Sequence, residues 1–195
     1  MTLVLASASP RRRELLGRAG IRFDVLAADV DESIHDGEAP RAYAARVAGA
    51  KAAAGRRARP DAWVLAADTI VVLAVVGEAI LGKPEGPADA ARMLARLAGR
   101  RHVVMTATCL VDPAGAETRR LVETEVDFRP LGAAEIDSYV AGGEWQGKAG
   151  AYAAQGQAAA FITAIRGSYT NVVGLPLAET LADLVRLGVA APAYT

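Results

Sequence analysis

The chain opens with an apolar run that gives way at once to small and basic residues. Residues 3–6 are continuously apolar, which indicates a short buried strand, and the segment SASPRRR follows directly. Ser9 suits a helix N-cap and Pro10 suits the first helical position, so the pattern predicts a helix that ends near Gly20. The sequence therefore begins with a predicted strand, a tight turn and a helix.

The rest of the chain alternates irregularly between strand and helix patterns. Predicted strands lie at 22–26, 63–67, 70–73, 102–111, 121–128 and near 158–165. Predicted helices lie at 40–57, 89–99, 133–140 and around 177–187. This irregular order favours a mixed α/β sheet with flanking helices over a doubly wound parallel sheet.

Composition excludes several classes of protein. The 195 residues suffice for one large domain or two small lobes, and the 22 Lys and Arg balance the 22 Asp and Glu. Neither nucleic acid nor a membrane surface is therefore an expected partner. The single cysteine, Cys109, excludes an internal disulfide framework and is expected in the core. With no signal-peptide pattern and no apolar run of membrane-spanning length, we expect a soluble, cytoplasmic protein.

Three arginines at 11–13 crowd the first turn of the predicted N-terminal helix. Basic side chains are unfavourable there, because a helix N-terminus already carries partial positive charge. Unpaired amides, the Ser7 and Ser9 hydroxyls and the arginine forks together favour a phosphate site. A capped surface helix with solvated arginines is the alternative interpretation.

Asp68 is the second strong signal, since it lies between two apolar runs. A buried carboxylate is costly unless it meets a metal, a cation or a substrate proton. Ligands of open α/β sheets gather at strand ends, and a strand that ends at residue 67 would bring Asp68 near the first turn. A structural pair with a buried arginine, or a backbone cap, is the alternative.

Other charged residues give weaker signals. The acidic pair at 31–32 follows the second strand, and acidic side chains opposite an arginine-rich turn are what a Mg²⁺-dependent phosphate site requires. Acidic loops are otherwise usually solvated. Lys83, in a constrained Gly-Lys-Pro loop, and Lys51, in an Ala-rich helix, can each meet phosphate oxygens.

Gln155 lies in the glycine-rich stretch 147–156, which has the backbone freedom for close approach of a ligand. Its amide suits hydrogen bonding to a base edge, although an ordinary glycine-rich connection is the alternative. His35 and His102 show no metal-ligand spacing and receive no catalytic role. Serine hydrolysis is disfavoured, because the sequence has no Gly-x-Ser-x-Gly elbow.

Several motifs, in order across nearly the whole chain, resemble the Maf family of nucleoside triphosphate pyrophosphatases. They are LASASPRR (5–12), ADTIV (67–71), GKP (82–84), KAGAY (148–152) with QG (155–156), and GSYTNVVGLPL (167–177). The stretch 148–156 resembles the dTTP/UTP branch of the family. One departure is the connection 72–80, which is long and apolar for the family.

The resemblance implies a single Maf-like domain over 1–195. Its expected fold is a mixed twisted sheet with flanking helices, with two lobes around a deep cleft, similar to the inosine triphosphate pyrophosphatases. The expected reaction is hydrolysis of dTTP and UTP to the monophosphate and pyrophosphate with a divalent cation, Mg²⁺ or Mn²⁺. House-cleaning of nucleotide pools, a link to cell-division arrest and a homodimer are further expectations.

The resemblance also assigns roles to individual residues. Asp68 matches the proton acceptor, while Arg11, Thr69 and Gln155 match positions linked to substrate choice. The residues expected to grip the triphosphate are Ser7, Arg11, Arg12, Lys51 and Lys83. Glu32 and Asp68 are expected to hold the cation.

Three alternatives stay open. The same chemistry on a modified nucleotide such as 7-methyl-GTP is the nearest one, because that branch has a similar first motif. The second is a septum-formation regulator that acts by binding a partner without catalysis. The third, a nucleic-acid-binding module, is disfavoured by the neutral net charge and the low aromatic content.

Overall fold

The structure, a computed structural model, describes residues 1–73 and 79–190. The strands are β1 (Leu3–Leu5), β2 (Asp24–Val25), β3 (Trp63–Leu73), β4 (Ala79–Leu81), β5 (Arg101–Val111), β6 (Glu117–Phe128) and β7 (Ile162–Arg166). The helices are α1 (Pro10–Arg18), α2 (Pro40–Ala58), α3 (Pro87–Leu97), α4 (Ala133–Ala141), α5 (Tyr169–Val173) and α6 (Leu177–Arg186). Short 3-10 helices lie at Ala149–Ala151 and Gln157–Phe161. Most of the connection 72–80, at residues 74–78, lies outside the described residues.

Within the described residues, the strands form one seven-stranded sheet. Its order is β2-β1-β3-β5-β6-β7, and β4 pairs with β3 beside this path. β1 runs parallel to both β2 and β3, whereas β4 is antiparallel to β3 and β7 is antiparallel to β6. The predicted mixed α/β sheet with flanking helices is confirmed.

The chain forms two compact units. The first unit comprises Met1–Asp68, Thr106–Val122 and the chain from Gly174, and the second comprises Thr69–Met105 and Glu123–Val173. Aliphatic side chains dominate the core of the first unit, and among them are Leu5, Leu16, Leu65, Leu110, Leu175 and Leu184. Aromatic side chains are prominent in the core of the second, where Phe128, Tyr139, Tyr152 and Phe161 make edge-to-face contacts.

Helix α2 approaches the sheet of the first unit unusually closely, at Gly55. A Cβ on Gly55 would lie 2.7 Å from Cγ1 of Val64 and 3.0 Å from Cβ of Ala6. Only glycine fits this contact without a shift of its neighbours. The close approach matters for the site, because Lys51 lies four residues earlier, on the same face of α2.

Two element predictions were wrong in detail. Residues 158–161 belong to a 3-10 helix, and β7 begins only at Ile162. Helix α3 begins at Pro87, because proline is well placed in the first turn of a helix. The prediction of Ser9 as the N-cap of α1 is confirmed, although its side chain makes no capping hydrogen bond. The backbone N–H of Ser9 donates to Oγ of Ser7 at 3.2 Å.

Cys109 is buried, as predicted. Among residues 1–73 and 79–190, no helix combines the length and the apolar character needed to cross a membrane.

Candidate active site

The site lies where β1 leaves the sheet. Leu5 pairs with Leu65 of β3, and the N–H of Ala6 donates to the carbonyl of Leu65 at 2.8 Å. The chain then turns through Ser7 into α1, while β3 continues to Asp68. Asp68 thus lies just beyond the carboxyl end of β1, the position at which open α/β sheets bind ligands.

The prediction that a strand ends before Asp68 was wrong. β3 is continuous from Trp63 to Leu73, and Asp68 lies within it. The strand continues because its first part pairs with β1 and its last part, Val71 to Leu73, pairs with β4. β4 is a three-residue strand that the sequence pattern did not reveal.

Arg12 is turned into the protein at the start of α1. It is buried, its Nε donates to the carbonyl of Gly174 at 2.8 Å, and its Nη1 donates to Oγ of Ser7 at 3.1 Å. These bonds tie the turn after β1 to the segment that precedes α6. Arg12 therefore fixes the geometry of the predicted phosphate turn.

Lys51 joins the two predicted acidic residues of the site. Its Nζ lies 2.8 Å from Oδ1 of Asp68 and 2.8 Å from Oε1 of Glu32. Lys51 and Asp68 are each 6% exposed, and Glu32 is half-buried. Three residues from α2, β3 and the loop after β2 therefore meet at one point, although 36 positions separate Glu32 from Asp68 in the sequence.

Tyr43 supports this cluster and was not identified from the sequence. It is buried on α2, and its hydroxyl donates to the carbonyl of Glu32 at 2.8 Å. Burial, together with the charges of Asp68 and Glu32, raises the pKa of Tyr43 to about 12, so the hydroxyl keeps its proton. The available signal was its spacing from Lys51, since positions i, i+4 and i+8 lie along one broad stripe of a helix.

Burial lowers the pKa values of Arg11 and Arg12 in the first turn of α1. Desolvation lowers the pKa of Arg12 to about 10, while the charges of Asp68 and Glu32 oppose this shift. Desolvation also lowers the pKa of Arg11, whose residue is half-buried. Both guanidiniums remain cationic at neutral pH, so the turn retains its positive charge.

Thr69, Lys83 and Gln155 belong to the second unit. Thr69 is half-buried in β3, whereas Lys83 and Gln155 are exposed. The Gly-Lys-Pro segment touches the KAGAY segment, because the N–H of Gly150 donates to the carbonyl of Gly82 at 3.1 Å. The roles expected for Thr69, Lys83 and Gln155 stay predictions.

Gly150 shows why the KAGAY segment requires glycine. Its φ of 68° lies in the left-handed region, and a Cβ there would lie 2.8 Å from Cγ2 of Val71. The following Ala151 also has a positive φ, of 62°. This backbone brings the segment against β3 and leads towards Gln155.

The comparisons with known proteins agree with these motifs. Residues 2–187 match the family described as Maf-like protein. A dTTP/UTP pyrophosphatase of Anaeromyxobacter dehalogenans strain 2CP-C is 54% identical over 97% of this chain and 96% of its own length. Proteins with the same name from Sphingopyxis alaskensis and Myxococcus xanthus are 53% and 51% identical, over 96% and 97% of this chain and 97% and 94% of their own lengths.

A solved structure gives a more distant match. The nucleoside-triphosphatase, or dITP/XTP pyrophosphatase, of Mycobacterium abscessus aligns with 18% identity and a TM-score of 0.48, over 67% of this chain and 76% of its own. The assignment to a family rests on the family match, which spans almost the whole chain, and on the relatives that are 51–54% identical to it. The chain belongs to the Maf family.

Proposed function

We propose that this protein is a nucleoside triphosphate pyrophosphatase that hydrolyses dTTP and UTP to the monophosphate and pyrophosphate. The observation that carries the proposal is the meeting of Lys51, Asp68 and Glu32 beside the arginine-rich start of α1. Relatives at 51–54% identity, each named a dTTP/UTP pyrophosphatase, support the same reaction and substrates.

Glu32 and Asp68 suit a divalent cation. Their carboxylates approach one another closely enough to share the ammonium of Lys51, and carboxylate oxygens are the ligands that Mg²⁺ prefers. In the described part of the chain, no three Asp, Glu, His or Cys side chains form a metal-binding group. We therefore propose that the protein supplies Glu32 and Asp68, and that phosphate oxygens and water complete the coordination, as is usual for Mg²⁺. Bound there, Mg²⁺ or Mn²⁺ would neutralise charge on the triphosphate.

Asp68 is the proposed general base. It accepts a proton from the water that attacks the α-phosphorus, and the bond between that phosphorus and the oxygen bridging to the β-phosphate breaks. Lys51 holds Asp68 in place and compensates its charge before substrate binds. Fixing the base in this way is the positioning contribution to catalysis.

The proposed phosphate contacts come from the arginine-rich turn and the lysines. We propose that Arg11, which is half-buried, and Lys83, which is exposed, contact phosphate oxygens. Ser7 and Arg12 shape the turn through their mutual hydrogen bond, with the guanidinium adding positive charge. Such preorganised cations stabilise the charge that develops on leaving pyrophosphate.

Gln155 is proposed to read the pyrimidine base, with Thr69 and Arg11 contributing to substrate choice. A side-chain amide accepts from a ring N–H and donates to a carbonyl, which matches the edge of uracil or thymine. We keep as predictions the single domain over 1–195, the homodimer, the cytoplasmic location and the roles in nucleotide pools and cell division.

The test is a nucleotide panel. Purified protein is incubated with Mg²⁺ or Mn²⁺ and with canonical and modified nucleoside triphosphates, 7-methyl-GTP included, and pyrophosphate is resolved from orthophosphate. Preferential release of pyrophosphate from dTTP and UTP is expected, and addition of EDTA should abolish it. Preference for 7-methyl-GTP would move the chain to the other substrate branch, and no release from any nucleotide would overturn the enzymatic proposal.

A further inference from the structure

The turn that carries Gln155 is held on both sides by residues from or just after α4. The turn covers 153–156, and the N–H of Gly156 donates to the carbonyl of Ala153 at 3.0 Å. Before the turn, the N–H of Ala153 donates to the hydroxyl of Tyr139 at 3.0 Å. After it, the N–H of Gln157 donates to Oε2 of Glu144 at 2.9 Å. Gln155 thus lies between two side-chain anchors.

Burial shows what this anchoring achieves. Residues 151–154 are buried, whereas Gln155 is exposed. The anchor at Tyr139 is itself part of the core of the second unit, since Tyr139 is 3% exposed and packs against Phe161. The backbone is therefore held against the core while one polar side chain is presented outwards.

Gly156 provides the space that the second anchor needs. A Cβ at residue 156 would lie 2.2 Å from Oε2 of Glu144 and 2.8 Å from its Cδ. The φ of Gly156 is −110°, which ordinary residues adopt, so space rather than backbone conformation requires glycine. A larger residue at 156 would push the Glu144 carboxylate away from the N–H of Gln157.

We propose that Glu144 is a positioning residue for base recognition: its carboxylate, seated against Gly156, fixes the turn that presents Gln155 to the pyrimidine. This inference rests on the proposed function, in which Gln155 contacts the base. Glu144 acts through the backbone and does not itself touch the substrate. Without it the turn must be ordered at each binding event, and that cost falls on substrate affinity.

The experiment compares four variants with a matched control. Glu144→Ala removes the acceptor, Glu144→Gln keeps an oxygen acceptor, Gly156→Ala displaces the carboxylate, and Glu144→Ala/Gly156→Ala combines the two changes. Asp137→Ala is the control, because Asp137 is an exposed carboxylate on α4, the helix that Glu144 follows. Measurements are KM and kcat for dTTP and UTP, the thermal midpoint, and hydrogen exchange of the Gln157 amide.

We expect Glu144→Ala to raise KM for both nucleotides by about three- to tenfold, with kcat within about twofold of the original value. The Gln157 amide should exchange faster, and inhibition by pyrophosphate, which lacks a base, should not change. Glu144→Gln and Asp137→Ala should have the KM, kcat and Gln157 exchange rate of the wild-type protein. Gly156→Ala should resemble Glu144→Ala, and the double variant should be no worse than Glu144→Ala, because both changes remove the same contact.

Two results would overturn the inference. One is unchanged KM values and unchanged Gln157 exchange in Glu144→Ala. The other is additive loss in the double variant, which would give Gly156 a role independent of Glu144. If the unchanged protein hydrolyses no nucleotide, the proposed function fails instead, and the exchange measurement still decides whether Glu144 holds the turn.

Discussion

Lys51 and Asp68 form a buried ion pair in which Nζ lies 2.8 Å from Oδ1 and each side chain is 8% exposed. Taking both charges out of water costs several kcal/mol, so such a pair contributes little net stability compared with apolar residues of similar volume. Stability alone therefore does not explain these charged residues in the core. The role proposed for Asp68, a general base held in place by the Lys51 ammonium, accounts for both residues.

Replacing Asp68 with asparagine should abolish turnover while the fold persists. The amide keeps the size and a hydrogen-bonding oxygen but cannot accept the proton from water, so we expect kcat to fall by about 10²- to 10⁴-fold. The measurement is pyrophosphate release from dTTP, with equilibrium binding of a non-hydrolysable dTTP analogue to show that the site is intact.

Asp61→Asn is the matched control, since Asp61 is exposed just before β3. It should leave both kcat and binding unchanged. Substantial turnover in Asp68→Asn would remove Asp68 from the role of general base.

Replacing Lys51 with methionine should destabilise the protein strongly. Methionine fills a similar volume, but the Asp68 and Glu32 carboxylates lose the ammonium that compensates both. Removing one partner of a buried pair costs about 3–5 kcal/mol, and urea unfolding at pH 7 measures this loss.

Adding Asp68→Asn to the Lys51 variant should restore part of that stability, because one uncompensated charge disappears. Arg57→Met, on the exposed end of α2, is the control and should change stability by less than about 0.5 kcal/mol. If Lys51→Met were as stable as this control, the ion pairs would not be important for folding.

Gln155→Ala should alter the choice of nucleotide more than the rate. The side chain is exposed, so its removal should affect the fold little. Loss of the two hydrogen bonds that we propose it makes to the base should lower kcat/KM for dTTP and UTP by about tenfold or more. The kcat/KM values for other nucleotides should fall less, so the preference for dTTP and UTP over the other nucleotides becomes smaller.

The neighbouring Gln157→Ala is the control, since it removes an exposed amide but keeps the backbone N–H that bonds to Glu144. It should preserve the ranking. An unchanged ranking in Gln155→Ala would argue against base recognition by this residue.

Local pattern was sufficient to predict much of the first unit. The apolar run at β1, the proline at the start of α1 and the long Ala-rich helix α2 are encoded by neighbouring residues, and all three predictions are confirmed. Asp68 was identifiable for a similar reason, because a carboxylate among apolar residues is conspicuous in the sequence.

The features that could not be predicted from the sequence depend on tertiary contacts. The bond from Lys51 to Asp68 requires α2 to pack on the sheet at Gly55, and no local pattern specifies that contact. Strand β4 is only three residues long and exists through its pairing with β3. Glu144 was missed because its partner is the backbone of a turn 13 residues away. Such contacts carry no periodic signal.

The stability of the protein should fall as the pH drops from 6.5 to 4, partly through His102. Burial lowers the pKa of His102 from 6.5 to about 4, while its Nε2 hydrogen bonds with the hydroxyl of Tyr152 at 2.9 Å. Between pH 6.5 and pH 4, His102 is protonated in the unfolded chain but stays neutral in the folded protein. Proton binding to the unfolded chain therefore lowers the free energy of unfolding by up to about 3 kcal/mol.

His102→Gln should remove the part of the pH-dependent loss of stability that comes from His102. His35→Gln, at an exposed site, should not. Denaturant unfolding between pH 4 and pH 7.5 gives the comparison. The His102 variant should lose less stability than the unchanged protein as the pH falls, and the two slopes should coincide above pH 6.5. Identical slopes throughout would show that His102 titrates normally.

Glycine-to-alanine changes in two helices should have opposite effects. At Gly17 of α1, a Cβ meets nothing within 4 Å, so Gly17→Ala should raise the free energy of unfolding by about 0.5–1 kcal/mol through helix propensity. At Gly55 of α2, the Cβ would lie 2.7 Å from Cγ1 of Val64. Gly55→Ala should therefore lower the free energy of unfolding by about 1–3 kcal/mol through overpacking. A displaced α2 also moves Lys51, so kcat should fall in the Gly55 variant only. Denaturant unfolding and dTTP turnover measure both effects, and a Gly55 variant as stable and active as the Gly17 variant would contradict the close contact between α2 and the sheet.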